Sequence, residues 1–144
     1  MLNYEPAPDV SFVGAICILD NAQSQGSVTL KSTNPDDAPI IQPNFVTHPF
    51  DRKVLIDGIR QTTRLLQAPV YARNTIERLG PAADATDEVI WEHVRKHFGS
   101  SWHMSCTVKM GKDPKDACVD SNFKMFGLQG LRVADMSVTP FVPK

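Results

Sequence analysis

The stretch Ser100-Ser101-Trp102-His103-Met104-Ser105-Cys106-Thr107-Val108-Lys109-Met110-Gly111 sets a histidine directly behind a tryptophan, follows it with small and sulfur-bearing side chains, and closes on Met-Gly. The residues before it read as a helix over 86–98. Thr86-Asp87-Glu88 offers an N-cap and two acids at the positive helix end, and Ile90, Trp91, Val94, His97 and Phe98 recur at helical spacing to form a buried side. Gly99 is the natural C-terminal stop. His103 therefore falls on a loop just after a helix, a place from which catalytic groups are commonly presented. Imidazole titrates near 6.5 when unperturbed, so His103 is the leading candidate for proton transfer at physiological pH.

Further toward the N-terminus, Thr47-His48-Pro49 opens another helix, because proline suits the first turn, where its missing N–H costs nothing. Val54, Leu55, Ile59, Thr62, Leu65 and Leu66 form its apolar stripe, Asp51, Arg52, Arg60 and Arg64 fall on other faces, and Ala68-Pro69 ends it. Residues 11–19 are apolar and β-branched, the pattern of a buried strand, and residues 27–32 alternate as a half-buried strand does. A polar loop between them predicts a hairpin. Asn34-Pro35-Asp36-Asp37 is a turn, and the proline in Ile40-Ile41-Gln42-Pro43-Asn44-Phe45 confines that segment to a sheet edge.

On the C-terminal side a charged loop and short strands lead to Gly127-Leu128-Gln129-Gly130-Leu131-Arg132-Val133-Ala134-Asp135-Met136-Ser137, with residues 131–134 the most strand-like. Hairpins and two helices without β-α-β alternation predict a single α+β domain over residues 1–144, with a largely antiparallel sheet and helices packed on one side.

Fifteen basic and sixteen acidic side chains give a net charge of −1, so neither nucleic acid nor an anionic membrane is the expected partner. No apolar run approaches the roughly 20 residues that span a bilayer. The first residues, Met1-Leu2-Asn3-Tyr4-Glu5-Pro6, lack the basic and apolar regions of a secretory signal. Cys17, Cys106 and Cys118 are odd in number and unrelated in spacing, which predicts neither a disulfide framework nor a Cys-x-x-Cys site. Composition thus excludes classes without choosing a function.

Other candidates carry less. His93 and His97 stand four apart, a spacing that could hold two metal ligands, but no carboxylate or cysteine is in register with them. The expectation is no metal, with His97 at the core edge and His93 in solvent, and His48 a helix-entry residue. Cys106 lies three residues after His103, yet no oxyanion hole or orienting third group accompanies a thiol nucleophile. Trp102 and Phe98 could stack on a ring or belong to a core; Asp135 could bind a cofactor or terminate a strand. The eight glycines include no Gly-x-Gly, so the dinucleotide fingerprint is absent from these 144 residues.

The His103 block and the Gly127–Ser137 run together resemble the C-terminal, substrate-side region of the glucose–methanol–choline (GMC) oxidoreductases, FAD-dependent flavoproteins that oxidise alcohols. Gly26-Ser27-Val28-Thr29-Leu30, Ile41-x-Pro43-Asn44-Phe45, Val119-Asp120 and Asp135-x-Ser137 extend the resemblance over nearly the whole chain. It implies that His103 is the base taking the hydroxyl proton of a small-molecule alcohol while hydride passes to the flavin. It also implies that Trp102 and His103 border the isoalloxazine, and Asp135 and Met136 the ribityl-phosphate end of FAD. Met136 stands where a small residue is usual, and Met104-Ser105 where Pro-Val-Gly is frequent.

The family's Gly-x-Gly-x-x-Gly domain, and the second His or Asn that follows its Pro-Phe-x-Pro region, have no counterpart here. The expectation is therefore a truncated domain, inactive alone and weak or silent toward FAD. The alternatives are a non-catalytic binding module or a subunit that complements a separate FAD-domain polypeptide. Compartment is unknown from sequence.

Overall fold

The structure, a computed structural model, describes residues 8–142. Residues 1–6, on which the expectation about a secretory signal rests, and Pro143 lie outside the described residues. The described elements are β1 (Ser27–Thr29), β2 (Ile40–Gln42), α1 (Pro49–Leu66), α2 (Pro69–Ala72), α3 (Asp87–His97) and a 3-10 turn, Met136–Val138. They divide between two compact units, one of residues 1–19 and 46–100, the other of residues 20–45 and 101–144.

The first unit is built on α1 and α3. His48 caps α1, its Nδ1 accepting from the Phe50 N–H at 3.2 Å, and Pro49 occupies the first turn. Thr86 caps α3 through its hydroxyl, which accepts from the Val89 N–H, and Asp87 and Glu88 sit at the positive helix end. Ile56, Ile90 and Val94 form the core, with Leu55, Ile59, Ala85 and Trp91 packed against it.

Arg60 ties the preceding loop to both helices. Its Nε donates to the Ala83 carbonyl at 3.2 Å, and its Nη2 to the Ala85 carbonyl at 3.0 Å and to Asp87 Oδ1 at 2.8 Å. The planar guanidinium thus fixes three acceptors at once, which an ammonium could not match in geometry.

Three expectations change in this unit. Residues 11–19 form no strand, and Ile16 is 86% exposed. An apolar, β-branched composition favours extended backbone, but a strand also needs a ladder partner, and none is found among the described residues. Cys17 nonetheless packs against α1 so closely that Gly58 leaves no room for a Cβ, and burial raises its thiol pKa. Asp51, placed on an outer face by periodicity, is fully buried in the first turn of α1. Finally, α3 ends at Phe98, whose extended backbone breaks the helix without a left-handed glycine; His97 and Phe98 are exposed, and Ile90 and Val94 carry the buried side.

The second unit holds the sheet. β1 pairs antiparallel with β2, with Val28 opposite Ile41, so the hairpin forms with the Pro43 segment and not with residues 11–19. Both strands are exposed, where half-burial was expected for the first. Gly26 lies against the Gln42 and Pro43 carbonyls, where any Cβ would collide with backbone. Beyond Gly111 the expected strands are single bridges: Met110 with Val119, Val119 with Met125, and Lys124 with Arg132. Gly127 and Gly130, at φ of 78° and 75°, make the reversal between the last two partners. The α+β class holds, with a two-stranded antiparallel sheet and bridges in place of a larger one.

Ile90→Ala is expected to cost about 2–5 kcal/mol of stability, as cavity formation at a fully buried isoleucine does. Ile76→Ala, at a side chain 83% exposed, should stay within about 0.5 kcal/mol. Urea unfolding of the two variants checks the difference.

Candidate active-site face

The residues that follow His103 are held by the backbone. The Cys106 N–H donates to the Met136 carbonyl at 3.4 Å, the Val108 N–H to Ser137 at 3.0 Å, and the Met110 N–H to Val138 at 2.8 Å. These bonds set residues 106–110 alongside the Met136–Val138 turn, so the two motifs singled out in sequence are joined within the second unit. Further bonds carry the web outward, from Cys118 N–H to the Lys109 carbonyl and from Gly111 N–H to Val119. Val119 and Val138 are buried beneath it.

Each side of the face has a local cause. Asp135 caps the 3-10 turn, its Oδ1 accepting from the Ser137 N–H at 2.8 Å, and Thr139 closes it by donating from its hydroxyl to the Met136 carbonyl at 2.9 Å. The Ser137 side chain, then the Ser137 N–H, hold the Asp135 carboxyl below the usual carboxylate range. Asp120 does similar work at the far turn: its Oδ1 accepts from the N–H groups of Asn122 at 2.8 Å and Lys124 at 2.9 Å, and the Lys124 N–H is the leading cause of its lowered pKa.

Trp102 and Cys106 bracket His103 with φ of 60° and 71°. Side-chain-bearing residues seldom adopt this region, and such conformations cluster where geometry is imposed by function. His103 itself is exposed, with no hydrogen-bond partner among the described residues. Beside it in sequence Trp102 is 77% and Met104 68% exposed, and Met136 and Phe141 are exposed as well.

No phosphate-cradling loop accompanies this surface. The surface offers apolar and aromatic side chains around a titratable imidazole, and no glycine-rich loop leading into a helix, which is what a pyrophosphate requires. Asp135 is engaged as the cap of the 3-10 turn, a role that neither sequence option, binding a cofactor or terminating a strand, specified. Phe98 and Cys106 bring no further catalytic group: Phe98 belongs to the other unit, and the Cys106 Sγ lies 3.2 Å from the Ser105 hydroxyl. The imposed φ values at Trp102 and Cys106 were not legible, since neither residue type signals a left-handed backbone.

Residues 22–144 match the family model described as GMC oxidoreductase, in its C-terminal part. Among curated relatives, the dehydrogenase pyvF of Aspergillus violaceofuscus is 33% identical over 96% of this chain and 23% of its own length. The oxygen-dependent choline dehydrogenase of Pseudomonas fluorescens is 38% identical over 83% of the chain and 21% of its own. An FAD-dependent oxidoreductase from Chaetomium thermophilum superimposes with a TM-score of 0.74 at 36% identity, over 81% of this chain and 20% of that one. The chain thus spans about a fifth to a quarter of the length of the relatives it matches. No helix among the described residues is long and apolar enough to cross a membrane.

The carboxylates of Asp120 and Asp135 give a pH dependence with a definite sign. Both pKa values are lower folded than unfolded, so their stabilisation is present above the unfolded value and is lost as pH falls through the folded one. The unfolding midpoint should decline below about pH 4. The double variant Asp120→Asn, Asp135→Asn should show a shallower decline over that range.

Proposed function

The chain belongs to the GMC oxidoreductase family, whose members are FAD-dependent oxidoreductases of alcohols and choline, and we propose that it is the substrate-side part of such an enzyme, with His103 as proton acceptor. The observation that carries the reading is the joining of the Trp102-His103 block to the Asp135-Met136 turn by three backbone hydrogen bonds, which leaves an exposed imidazole amid exposed apolar side chains.

FAD, when bound, supplies the two-electron acceptor. The work left to this chain is to hold the alcohol and manage its proton. His103 takes the hydroxyl proton as hydride leaves the carbinol carbon, because developing alkoxide character strengthens hydride donation. Trp102 and Met104 exclude water around the reacting carbon, and the Trp102 backbone borders the ring of the cofactor. Asp135 and Met136 border the ribityl-phosphate end, Asp135 by keeping the turn that presents its backbone. Met136 is the bulkier choice at that contact.

Residues 1–144 act as one such domain within a larger assembly. The pyrophosphate site comes from an FAD-binding region, in the same or a separate polypeptide, and these residues alone neither turn over alcohol nor retain flavin. Exposed Ile16, Ile18, Leu30 and Ile41 support this reading, since apolar surface of that extent is ordinarily covered. There the short strands join a larger antiparallel sheet with the helices on one side. A binding module without chemistry would instead keep ligand affinity after His103 is removed.

In the flavin-loaded protein, His103→Ala should lower kcat/KM for alcohol oxidation by roughly 10²–10⁴-fold, the usual contribution of a general base, with the flavin absorbance retained. Steady-state kinetics with aromatic and aliphatic alcohols test it; unchanged turnover would assign the proton to another group.

A further inference from the structure

A second pair of histidines lies in the first unit, outside the face described above. His93 and His97 stand one turn apart at the end of α3, their ring centroids 4.4 Å apart and their planes inclined by 36°. The spacing was legible in the sequence; the state of the rings was not. The expected exposure is also reversed, with His93 half-buried and His97 in solvent.

His97 Nδ1 lies 2.9 Å from the His93 carbonyl. A carbonyl oxygen only accepts, so Nδ1 is the donor here, and the bond orients the ring with Nε2 as the nitrogen left to face a ligand. A backbone carbonyl bonded to one imidazole nitrogen is the usual support for a histidine that ligates through the other. Burial first, and the neighbouring His97 second, lower the His93 pKa. Two metal–nitrogen bonds of about 2.0–2.1 Å reach across rings at such a separation.

The surroundings are compatible with added positive charge. The groove that His93 and His97 line is also bordered by Glu88, Glu92 and Lys96, and the Lys96 ammonium is drawn toward Glu92 at 3.6 Å, which Arg95 also approaches at 3.5 Å. No cluster of three or more His, Cys, Asp or Glu side chains suited to a metal occurs among the described residues, so the remaining positions would be open to water. An open, two-imidazole site favours borderline cations over Mg²⁺ or Ca²⁺, which demand several oxygen ligands.

We propose that His93 and His97 form a solvent-open site for one divalent first-row transition ion, Ni²⁺, Cu²⁺ or Zn²⁺, bound through both imidazoles at the C-terminal turn of α3. The ion staples that turn, and its binding is independent of flavin and of His103.

The test is Ni²⁺ titration of the full-length, metal-stripped protein at pH 7.5 by calorimetry, since Ni²⁺ prefers imidazole and is less confounded by the free cysteines than Zn²⁺. One ion per chain is expected. Loss of a ligand should exceed the 10–100-fold cost typical of disturbing a ligand's support, so His97→Gln and His93→Gln should each weaken binding by at least about tenfold. His103→Gln should leave it unchanged. His97 is exposed, so its variant is expected to fold as the parent does. Binding should also weaken at pH 5.5, where protons compete, and Ni²⁺ should raise the thermal midpoint of the parent and not of His97→Gln. Absence of binding by the parent, or undiminished binding by His97→Gln, overturns the proposal.

Discussion

Three backbone hydrogen bonds, from the N–H groups of Cys106, Val108 and Met110 to the carbonyls of Met136, Ser137 and Val138, are the constraint on which the second unit depends. Each is worth only about 1 kcal/mol net, yet together they set the register between two segments some thirty residues apart in sequence. The buried Val138 anchors one side and the buried Val119 the next. With that register fixed, the residues before Cys106 enter the second unit next to the Met136 carbonyl. The positive φ angles at Trp102 and Cys106 follow from the same demand, because the chain has to turn sharply on either side of His103.

The helices of the first unit were legible because their signals are local. His48-Pro49 and Thr86-Asp87-Glu88 are caps whose side chains act within their own turns, and Ala68-Pro69 ends α1 wherever it sits. The strands were less legible because a strand is a relation between distant segments. Residues 11–19 have the composition of a buried strand and lie exposed, while the Ser27–Thr29 segment found its partner at Ile40–Gln42 instead. Asp51 shows the converse limit: periodicity ranks a carboxylate as outward, and only packing reveals it as buried.

The candidate site divides in the same way. His103 and Asp135 were identified from ordered strings of residues, and the structure brings their segments together. Asp135 is the cap of its turn, a role that the pattern Asp-x-Ser permits without announcing. The protonated nitrogen of His97 is invisible in sequence, since it depends on where the His93 carbonyl points. The first unit buries only a small cluster around Ile90, and much of the apolar side-chain surface of both units is exposed. Such a balance suits a part of a larger protein better than a free-standing domain, for which burial must offset the entropy of ordering the chain.

The most direct measurement is the mass and flavin absorbance of the protein isolated from its native source with an antibody against this chain. The account predicts a species well above 15.9 kDa, either one longer polypeptide or a complex, with about one flavin per copy. A lone 15.9 kDa chain free of flavin would contradict it, and would leave the His103 face without the chemistry proposed for it.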